Sequence, residues 1–548
     1  MKKSLLFLCC VFISGLAFAQ KPPRINKYWV EFTDKNDSPY CTCRPAEFLS
    51  LQALERRTQA GIEVVENDLP VNPAYIKQLI TQGVELHLTS RWLNAATVMA
   101  DSATAAQFQR LPFVKNVQYL GPHLKYRNPQ NRPTKKRKST AKYPQPGGAA
   151  NPLGYAGRQN SLLNMYPLYA AGVRGAGIRV AVMDGGFTNT DTIPLFDSIA
   201  LQGRLMVGHD FVERDNALFE SAQHGTSVLS VMAGNLPGYF IGTAPDATYF
   251  LLKTEDTGGE YPVEEANWIG GAEWADSVGA QIINASLGYT SFNDTSLSHK
   301  YWQLDGRTAI GSRGATIAAT KGMIICNSAG NEGDGTWHYI GVPADAPGIV
   351  AVGAVDYAGK RADFSSFGPT SDGRIKPDLV APGEQVVTAG NVGIDLGLSS
   401  GTSVASPLLV GALASLWSAY PNKTAAEILA AVFASADQAR HPDNARGYGL
   451  PDMTEAWLQL GGFVSGHTTF AFDRDSGELT VLTASSDFAG NSTVDMRNIL
   501  GQLVGVFPAR FLKNSISTLK ISGLKQVPAG AYQIVLPAGE RLMVVLWK

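Results

Sequence analysis

Short apolar runs alternate with helical stretches along the middle of the chain, from about residue 155 to residue 460. The runs have the length of strands and are rich in Val, Ile and Ala: IRVAVMD (178–184), ATYFLLK (247–253), AQIINASLG (280–288), GMIICNSAGN (322–331) and GIVAVGAV (348–355). Near-continuous apolar strands separated by helices are typical of a parallel sheet that is covered on both faces. The pattern predicts an α/β domain with a doubly wound, mostly parallel sheet, whose ligand site lies beyond the carboxyl ends of the strands.

The residues before this domain follow a different pattern. Strands are predicted over 27–34, 88–100 and 114–120, and helices over 46–60 and 103–110. These elements predict a small α+β domain within residues 20–126. Residues 127–154 lose apolar periodicity and contain Pro, Gly, Asn and the basic run Lys135-Lys136-Arg137-Lys138, so they predict an exposed linker.

Both ends of the chain also carry patterns of their own. The start, MKKSLLFLCCVFISGLAFAQ, has two lysines, an apolar run and a small-residue site, which predict a signal peptide over 1–19. The run is too short and wrongly flanked for an anchor, so we expect no stable membrane span. Residues 463–548 alternate strands with turns and predict a separate all-β domain.

Composition narrows the class of protein. The 548 residues are 45% hydrophobic and 17% charged, which is enough for several domains with substantial cores. Lys plus Arg (46) nearly equals Asp plus Glu (47), so no global field attracts nucleic acid or anionic lipid. After removal of the signal, Cys41, Cys43 and Cys326 are too few for a disulfide scaffold, and Cys41-Thr42-Cys43 lacks a zinc spacing. We expect a structural or incidental role for that pair and no metal.

Three polar residues stand where chemistry can occur. Asp184 ends an apolar strand before Gly185-Gly186, and His224 opens an apolar helix. Ser403 lies near the start of a long apolar helix, where free backbone N–H groups favour an oxyanion. Each alone reads as an ordinary cap or turn residue. Together they supply the nucleophile, the base and the orienting carboxylate of acyl transfer.

The blocks around these residues resemble the subtilisin-like serine proteases, or subtilases. They are AVMDGGF, HGTSV and GTSVASP, in the chain order Asp, His, Ser of that family. ICNSAGNEG and SSFGPTSDGRIKPDLVAPG (365–383) also fit, and the resemblance covers about 155–460. It implies a subtilisin-like fold and a serine endopeptidase that forms an acyl-enzyme on Ser403, with His224 as general base and Asp184 orienting it. By the same resemblance, Asn331 belongs to the oxyanion hole.

The resemblance extends to substrate binding. Ser286, Leu287 and Gly288 resemble the wall of the first specificity pocket, and Gly258-Gly259 resembles the edge that pairs with an extended substrate. No fixed charge is evident at that pocket, so we expect large apolar side chains to be preferred. The segment NLPGYFIG (235–242) lacks the Asn-rich loop that holds calcium in well-known members. We therefore expect no cofactor, while calcium binding is left open without ligands to name.

The flanking domains resemble those of exported subtilases. Residues 20–126 are similar to the inhibitory propeptide, and 463–548 are similar to the C-terminal sorting domain of type IX secretion, on the motifs Gly501-Gln502, ISGL and PAGAY. The implied partners are protein or peptide substrates, the chain's own propeptide and the secretion machinery. The implied location is secreted or at the cell surface, reached through the periplasm.

Two alternatives remain open. Residues 397–401, GLSSG, match G-x-S-x-G, which would make Ser399 the nucleophile of an α/β-hydrolase esterase. In that family the acid and histidine follow the serine, leaving His441 and His467 and no role for Asp184 or His224. The second alternative is a catalytically inactive subtilase scaffold that binds peptides. Such a scaffold ordinarily lacks a triad residue, and none is missing here.

Overall fold

A computed structural model describes residues 24–124, 153–215, 217–460, 468–473, 478–485, 490–498, 500–511, 515–528, 530–536 and 541–546. The predicted signal peptide and nearly all of the predicted linker lie outside these residues. The basic run at 135–138 is also outside them.

The first domain is the α+β unit that the sequence predicts, with one helix more and with two strands in place of the single stretch predicted over 88–100. Its elements are β1 (Asn26–Phe32), α1 (Leu51–Gln59), α2 (Pro73–Ile80), β2 (Glu85–Ser90), β3 (Ala95–Ala100), α3 (Ser102–Phe108) and β4 (Val114–Pro122). The antiparallel sheet has the order β2-β3-β1-β4. Helix α2 was not predicted, because Asn72-Pro73 also reads as a turn; here the Asn72 side chain caps the helix by accepting from Ala74 N.

The middle domain contains most of the helices and strands. Its elements are α4 (Gly157–Leu162), α5 (Tyr166–Ala170), β5 (Arg179–Asp184), α6 (Asp197–Leu201), β6 (Leu205–Asp210), α7 (His224–Ala233), β7 (Asn235–Leu236), β8 (Phe240–Ile241), β9 (Thr248–Lys253), α8 (Val263–Ser277), β10 (Ile282–Ala285), α9 (Ile310–Ala319), β11 (Ile324–Ser328), β12 (Val350–Val355), β13 (Leu379–Pro382), β14 (Val386–Ala389), β15 (Leu396–Ser399), α10 (Thr402–Ala419), α11 (Ala425–Ser435) and α12 (Met453–Gln459).

Seven of these strands form one sheet in the order β6-β9-β5-β10-β11-β12-β13. Every adjacent pair is parallel, which confirms the predicted α/β class. Alternate side chains of β5 enter different cores: Val180 and Val182 pack with α7 and α10, whereas Ala181 and Met183 pack with α8 and α9. Helices therefore cover both faces, and this explains why the strands are apolar throughout.

Helix α10 is the longest helix of this domain. By length and composition it is the one helix of the described residues that could cross a membrane, yet 83% of it is buried inside the protein. It serves as a core helix.

The tail is all-β, as predicted. Its strands are β16 (Thr468–Asp473), β17 (Glu478–Ser485), β18 (Gly490–Asn498), β19 (Leu503–Phe511), β20 (Ser515–Ile521), β21 (Gly530–Val535) and β22 (Arg541–Leu546). They form two antiparallel sheets, β16-β17-β20 and β19-β18-β21-β22. Val481, Val494 and Ile534 belong to a core that these strands build for themselves.

The first domain packs on α8 and α9 of the middle domain. Trp29, Leu88 and Trp92 lie in the same hydrophobic core as Trp268 and Ile269 of α8. An apolar interface thus joins the two domains.

The cysteines outside the predicted signal peptide are also placed. Cys41 and Cys43 of the first domain form a disulfide, whereas Cys326 is a buried free thiol in β11.

Candidate active site

Asp184 and His224 come together at the carboxyl edge of the sheet. Asp184 is the last residue of β5 and is 1% exposed, while His224 is the first residue of α7. His224 Nδ1 lies 3.0 and 2.9 Å from the two carboxylate oxygens of Asp184. Because a carboxylate only accepts, the proton belongs on Nδ1, which leaves Nε2 free to accept one. Backbone N–H of Gly185 also donates to Asp184, at 2.8 Å.

Ser403 stands in the first turn of α10. The preceding Gly401 has φ +154°, and a Cβ there would lie 3.0 Å from Ser403 Oγ and 3.5 Å from Asn331 Nδ2. Glycine therefore keeps open the space between these two side chains. The first N–H groups of a helix have no partner within it, so the backbone of Ser403 offers a donor beside its own hydroxyl.

Asn331 follows β11, and its amide is oriented by a neighbour that the sequence analysis missed. Asn331 Oδ1 accepts from Thr402 N at 2.8 Å and from Thr402 Oγ1 at 3.0 Å. With the oxygen held by two donors, Nδ2 is the atom available to a ligand. Thr402 is 1% exposed and so acts through Asn331. The sequence signal for Thr402 was its position in the block GTSVASP, directly before Ser403.

One cavity of about 300 Å³ brings most of the predicted site residues together. Its lining includes His224, Ser403, Asn331, Ser286, Leu287 and Gly288, together with Glu255, Glu260, Thr290, Ser328, Gly330, Glu332, Gly341 and Thr402. Within the described residues no hydrogen bond joins His224 to Ser403, a common situation without substrate. The imidazole is 47% exposed, so a ligand can reach it.

The segment 286–288 is fixed against the start of α10. Ser286 Oγ donates to the carbonyl oxygen of Ser403 at 2.8 Å, and Leu287 O accepts from Asn327 Nδ2 at 2.8 Å. A Cβ on Gly288 would meet only Val342 O, at 3.7 Å. The segment is therefore a rigid wall with open space at its glycine.

Gly258 and Gly259 are not among the residues that line this cavity, although the next residue, Glu260, is. They form a turn whose N–H groups donate to Asp256, at 3.0 Å to its side chain and 3.1 Å to its carbonyl oxygen. A Cβ on Gly259 would lie 3.5 Å from Leu124 Cδ1, in the first domain. The edge predicted for a substrate thus borders the end of β4.

The cavity carries charge that the sequence analysis did not weigh. Glu255, Glu260 and Glu332 line it together with the 286–288 wall, while the apolar preference of the first pocket itself stays a prediction. Burial raises the pKa of Glu255 to about 8, against a hydrogen bond from the Tyr289 hydroxyl. The Asp184 carboxylate raises the pKa of His224, against burial, which lowers it. Glu255 and Glu260 were missed because, in their loop, only Gly258-Gly259 resembles a family segment.

Ser399, the nucleophile of the esterase alternative, ends β15. Its hydroxyl lies 3.2 Å from Thr388 Oγ1 on the paired strand β14. It is not among the residues that line the cavity of His224 and Ser403.

Comparison with known proteins identifies two regions of the chain. The Subtilase family model matches residues 175–449, and the model of the Peptidase S8 propeptide domain of Bacteroidota matches residues 27–139. Subtilisin NAT of Bacillus subtilis subsp. natto is 31% identical over 265 residues, which are 48% of this chain and 61% of that protein. Subtilisin of Bacillus pumilus is also 31% identical over 265 residues, covering 48% of this chain and 84% of that protein.

Among solved structures, the MycP3 protease of the type VII (ESX-3) secretion system is similar, with a TM-score of 0.44 and 24% identity over 57% of this chain and 90% of that chain. The chain spans only about three fifths (61%) of subtilisin NAT, and the Subtilase family model covers just over half of the chain. The strand-end aspartate, the helix-start histidine and serine, the Subtilase family model and the match to subtilisin of Bacillus pumilus agree: the chain belongs to the subtilase (peptidase S8) family.

Proposed function

We propose that the chain is a secreted serine endopeptidase that hydrolyses peptide bonds through an acyl-enzyme on Ser403. The observation that carries the proposal is the Asp184–His224 pair, which opens onto the same cavity as Ser403 and Asn331. Family membership supports the same activity, since the family consists of serine endopeptidases.

The reaction follows from the placement of these groups. Ser403 Oγ attacks the peptide carbonyl carbon while His224 Nε2 takes its proton. Asp184 holds the Nδ1–H and stabilises the imidazolium that forms. The N–H of Ser403 and Nδ2 of Asn331 donate to the developing oxyanion. His224 then protonates the leaving amine, and water repeats the sequence to release the acid.

The first domain acts as a propeptide that covers part of this enzyme. Asp276 of α8 binds three of its arginines, Arg56, Arg57 and Arg91, with nitrogen–oxygen distances of 2.8 Å for Arg57 and 2.7 Å for Arg91. On the same helix Glu273 accepts from Ser90 Oγ, Arg91 N and Trp92 N at 2.6 to 3.0 Å. Buried charge pairs of this kind fix the position of the propeptide on the enzyme as well as contributing to its affinity.

The end of the propeptide leads to the substrate edge. Gly121 of β4 packs so closely that a Cβ there would lie 2.9 Å from the Tyr261 side chain, and Leu124 borders Gly259. We expect Gly258-Gly259 to pair with an extended substrate where the propeptide now runs. Removal of the propeptide, by a cut in the predicted linker, then frees the edge.

The proposal includes export. The signal pattern at 1–19 and the separate core of the tail support a protein that crosses the periplasm and is then sorted by type IX machinery to the cell surface or medium. The proposal names no cofactor and leaves calcium binding open: in the described part of the chain, no three His, Cys, Asp or Glu residues are grouped to hold a metal. The proposed chemistry uses side chains and backbone only.

Two serine variants test the function. Ser403→Ala should abolish casein hydrolysis apart from a residue of about 10³-fold over water, because binding and the oxyanion donors remain. If the enzyme removes its own propeptide, the variant should also accumulate as a precursor by intact mass. Ser399→Ala is the matched control and should stay active and mature.

An active Ser403→Ala beside a dead Ser399→Ala would favour the esterase alternative. A wild-type protein that binds peptides but cuts none would favour the inactive scaffold.

A further inference from the structure

Four carboxylates belong to the loop after β9 and the start of α8, and we name them the acidic patch: Glu255, Asp256, Glu260 and Glu264. Two of them, Glu255 and Glu260, line the cavity of Ser403. We propose that the acidic patch selects a lysine or arginine side chain at the second residue before the scissile bond. The proposal deepens the endopeptidase function and rests on it.

The position of Glu255 relates the patch to the triad. The loop after β9 is tied to the end of β5, because Thr254 N donates to the carbonyl oxygen of Asp184 at 3.0 Å. A Cβ on Gly185, the next residue, would lie 3.6 Å from the Cβ of Glu255. Glu255 is therefore a close neighbour of the aspartate that holds His224.

The geometry of an extended peptide selects the second position. Successive side chains of such a peptide point in opposite directions. If the residue before the cut places its side chain against the 286–288 wall, the preceding side chain turns away from that wall, toward His224 and the patch. Glu255 and Glu260 both line the cavity there.

A buried lysine of the propeptide lies within the field of the patch. Lys27 of β1 is only 5% exposed; burial lowers its pKa, and the charges of Asp256 and Glu264 oppose that shift. Lys27 is paired with Gly121 of β4, and a Cβ on Gly121 would lie 2.9 Å from the side chain of Tyr261, the residue after Glu260. A cationic side chain is thus the ligand chemistry that the propeptide brings to this side of the patch.

The part of the patch that faces the cavity has no such partner. Among the described residues no ion pair involves Glu255 or Glu260, and Glu255 Oε1 accepts only hydroxyl groups, from Tyr289 at 2.6 Å and Thr254 at 3.2 Å. Carboxylates that lose water without gaining a cation are unfavourable as ions. A substrate ammonium or guanidinium group would supply the missing charge.

The chain contains such side chains in its own sequence. Lys135, Lys136, Arg137 and Lys138 follow the propeptide, and the propeptide family model ends at residue 139. The cut that releases the propeptide is expected among residues of the class that the patch selects.

Peptides that differ at one position test the proposal. The secreted enzyme is given fluorogenic peptides with phenylalanine before the cut and lysine, glutamine or glutamate one residue earlier. The lysine peptide should exceed the glutamine peptide in kcat/KM by about tenfold, and the glutamate peptide should be the poorest, as expected for partly buried charge pairs. High salt should reduce the lysine preference, a check that needs no variant.

Glu255→Gln and Glu260→Gln should each bring the lysine-to-glutamine ratio of kcat/KM toward one. Glu427→Gln is the control, because Glu427 is an exposed residue of α11 that pairs with Lys423, and its ratio should equal that of the wild type. A wild-type ratio of one with good cleavage overturns the inference and leaves the endopeptidase standing. A strong lysine preference that survives both patch variants also overturns it. If none of the peptides is cleaved, both the proposed function and this inference are wrong.

Discussion

At the residue scale, two neighbouring acidic side chains of the cavity have very different partners. Asp184 is held by the N–H of Gly185 and by the ring of His224. Glu255, close by, receives hydroxyl groups and faces the charges of Glu260 and Asp184, which help burial to raise its pKa to about 8. One carboxylate orients a base, and the other stays without a cation until one is brought to it.

Replacing Asp184 tests the first of these roles. Activity needs neutral His224, so it falls as pH drops through the pKa of that residue, which Asp184 raises. In Asp184→Asn the raising charge is gone, so the acid limb of kcat/KM should move to lower pH while the rate falls by about 10⁴. Peptide hydrolysis across pH measures both effects. Asp191→Asn, at an exposed carboxylate, should leave the limb in place; an unmoved limb in Asp184→Asn would contradict the pairing.

The pH dependence of selectivity tests the role proposed for Glu255. Glu255 ionises as pH rises through about 8, so the ratio of kcat/KM for the lysine and glutamine peptides should rise with it. The groups that face Glu255 are Asp184, Glu260, Glu264, the Tyr289 hydroxyl and, across the cavity, His224. His224 affects both peptides alike, so the ratio isolates the patch. A ratio that is flat in the wild type, or that still rises in Glu255→Gln, would speak against Glu255.

The positions of Asp184, His224 and Ser403 could be predicted from the sequence because each stands at a strand end or helix start that its own segment determines. Thr402 and Glu255 could not, since their roles arise only when separate segments meet: Thr402 orients an amide from the end of β11, and Glu255 borders the end of β5. The charge of the cavity was missed for the same reason. Charge at a cavity depends on which loops surround it.

At the element scale, α8 both supports the sheet and receives the propeptide. Trp268 and Ile269 belong to the core, while Glu273 and Asp276 meet the propeptide's polar groups. The strands were predictable because burial on both faces makes them apolar runs. The docking of the first domain was not, because pairs such as Arg57 with Asp276 are far apart in sequence.

Asp276→Asn tests the buried pairs on α8. The change leaves Arg56, Arg57 and Arg91 with less compensating charge, and breaking buried pairs costs about 3 to 5 kcal/mol. Denaturant unfolding of the Ser403→Ala precursor, with and without the change, measures the loss in the free energy of unfolding. Asp246→Asn is the control: its pair with Arg174 is partly exposed, so the loss there should stay below about 1 kcal/mol. Equal losses would mean that the α8 pairs contribute no more than a surface pair.

At the scale of the whole molecule, the first domain, the catalytic domain and the tail each have a core and a separate proposed role. The first and last cores are built from Val30, Leu79 and Phe108 and from Val481, Val494 and Ile534. The first unit is proposed to cover the catalytic domain and then to be removed, whereas no described residue of the last unit lines the cavity of His224 and Ser403. A tail that has its own core and lies outside that lining suits the proposed role in sorting.

Removing residues 463–548 tests that role. Because the tail has its own core, the truncated protein should keep the catalytic sheet and cleave casein, but it should accumulate in the periplasm. Activity and protein are measured in medium and periplasm, and thermal unfolding checks the fold. Full-length Ser403→Ala is the control, since it should reach the medium although inactive, which separates transport from activity. Truncated enzyme in the medium at the full-length level would refute sorting, and an unfolded truncated protein would show instead that the tail stabilises the enzyme.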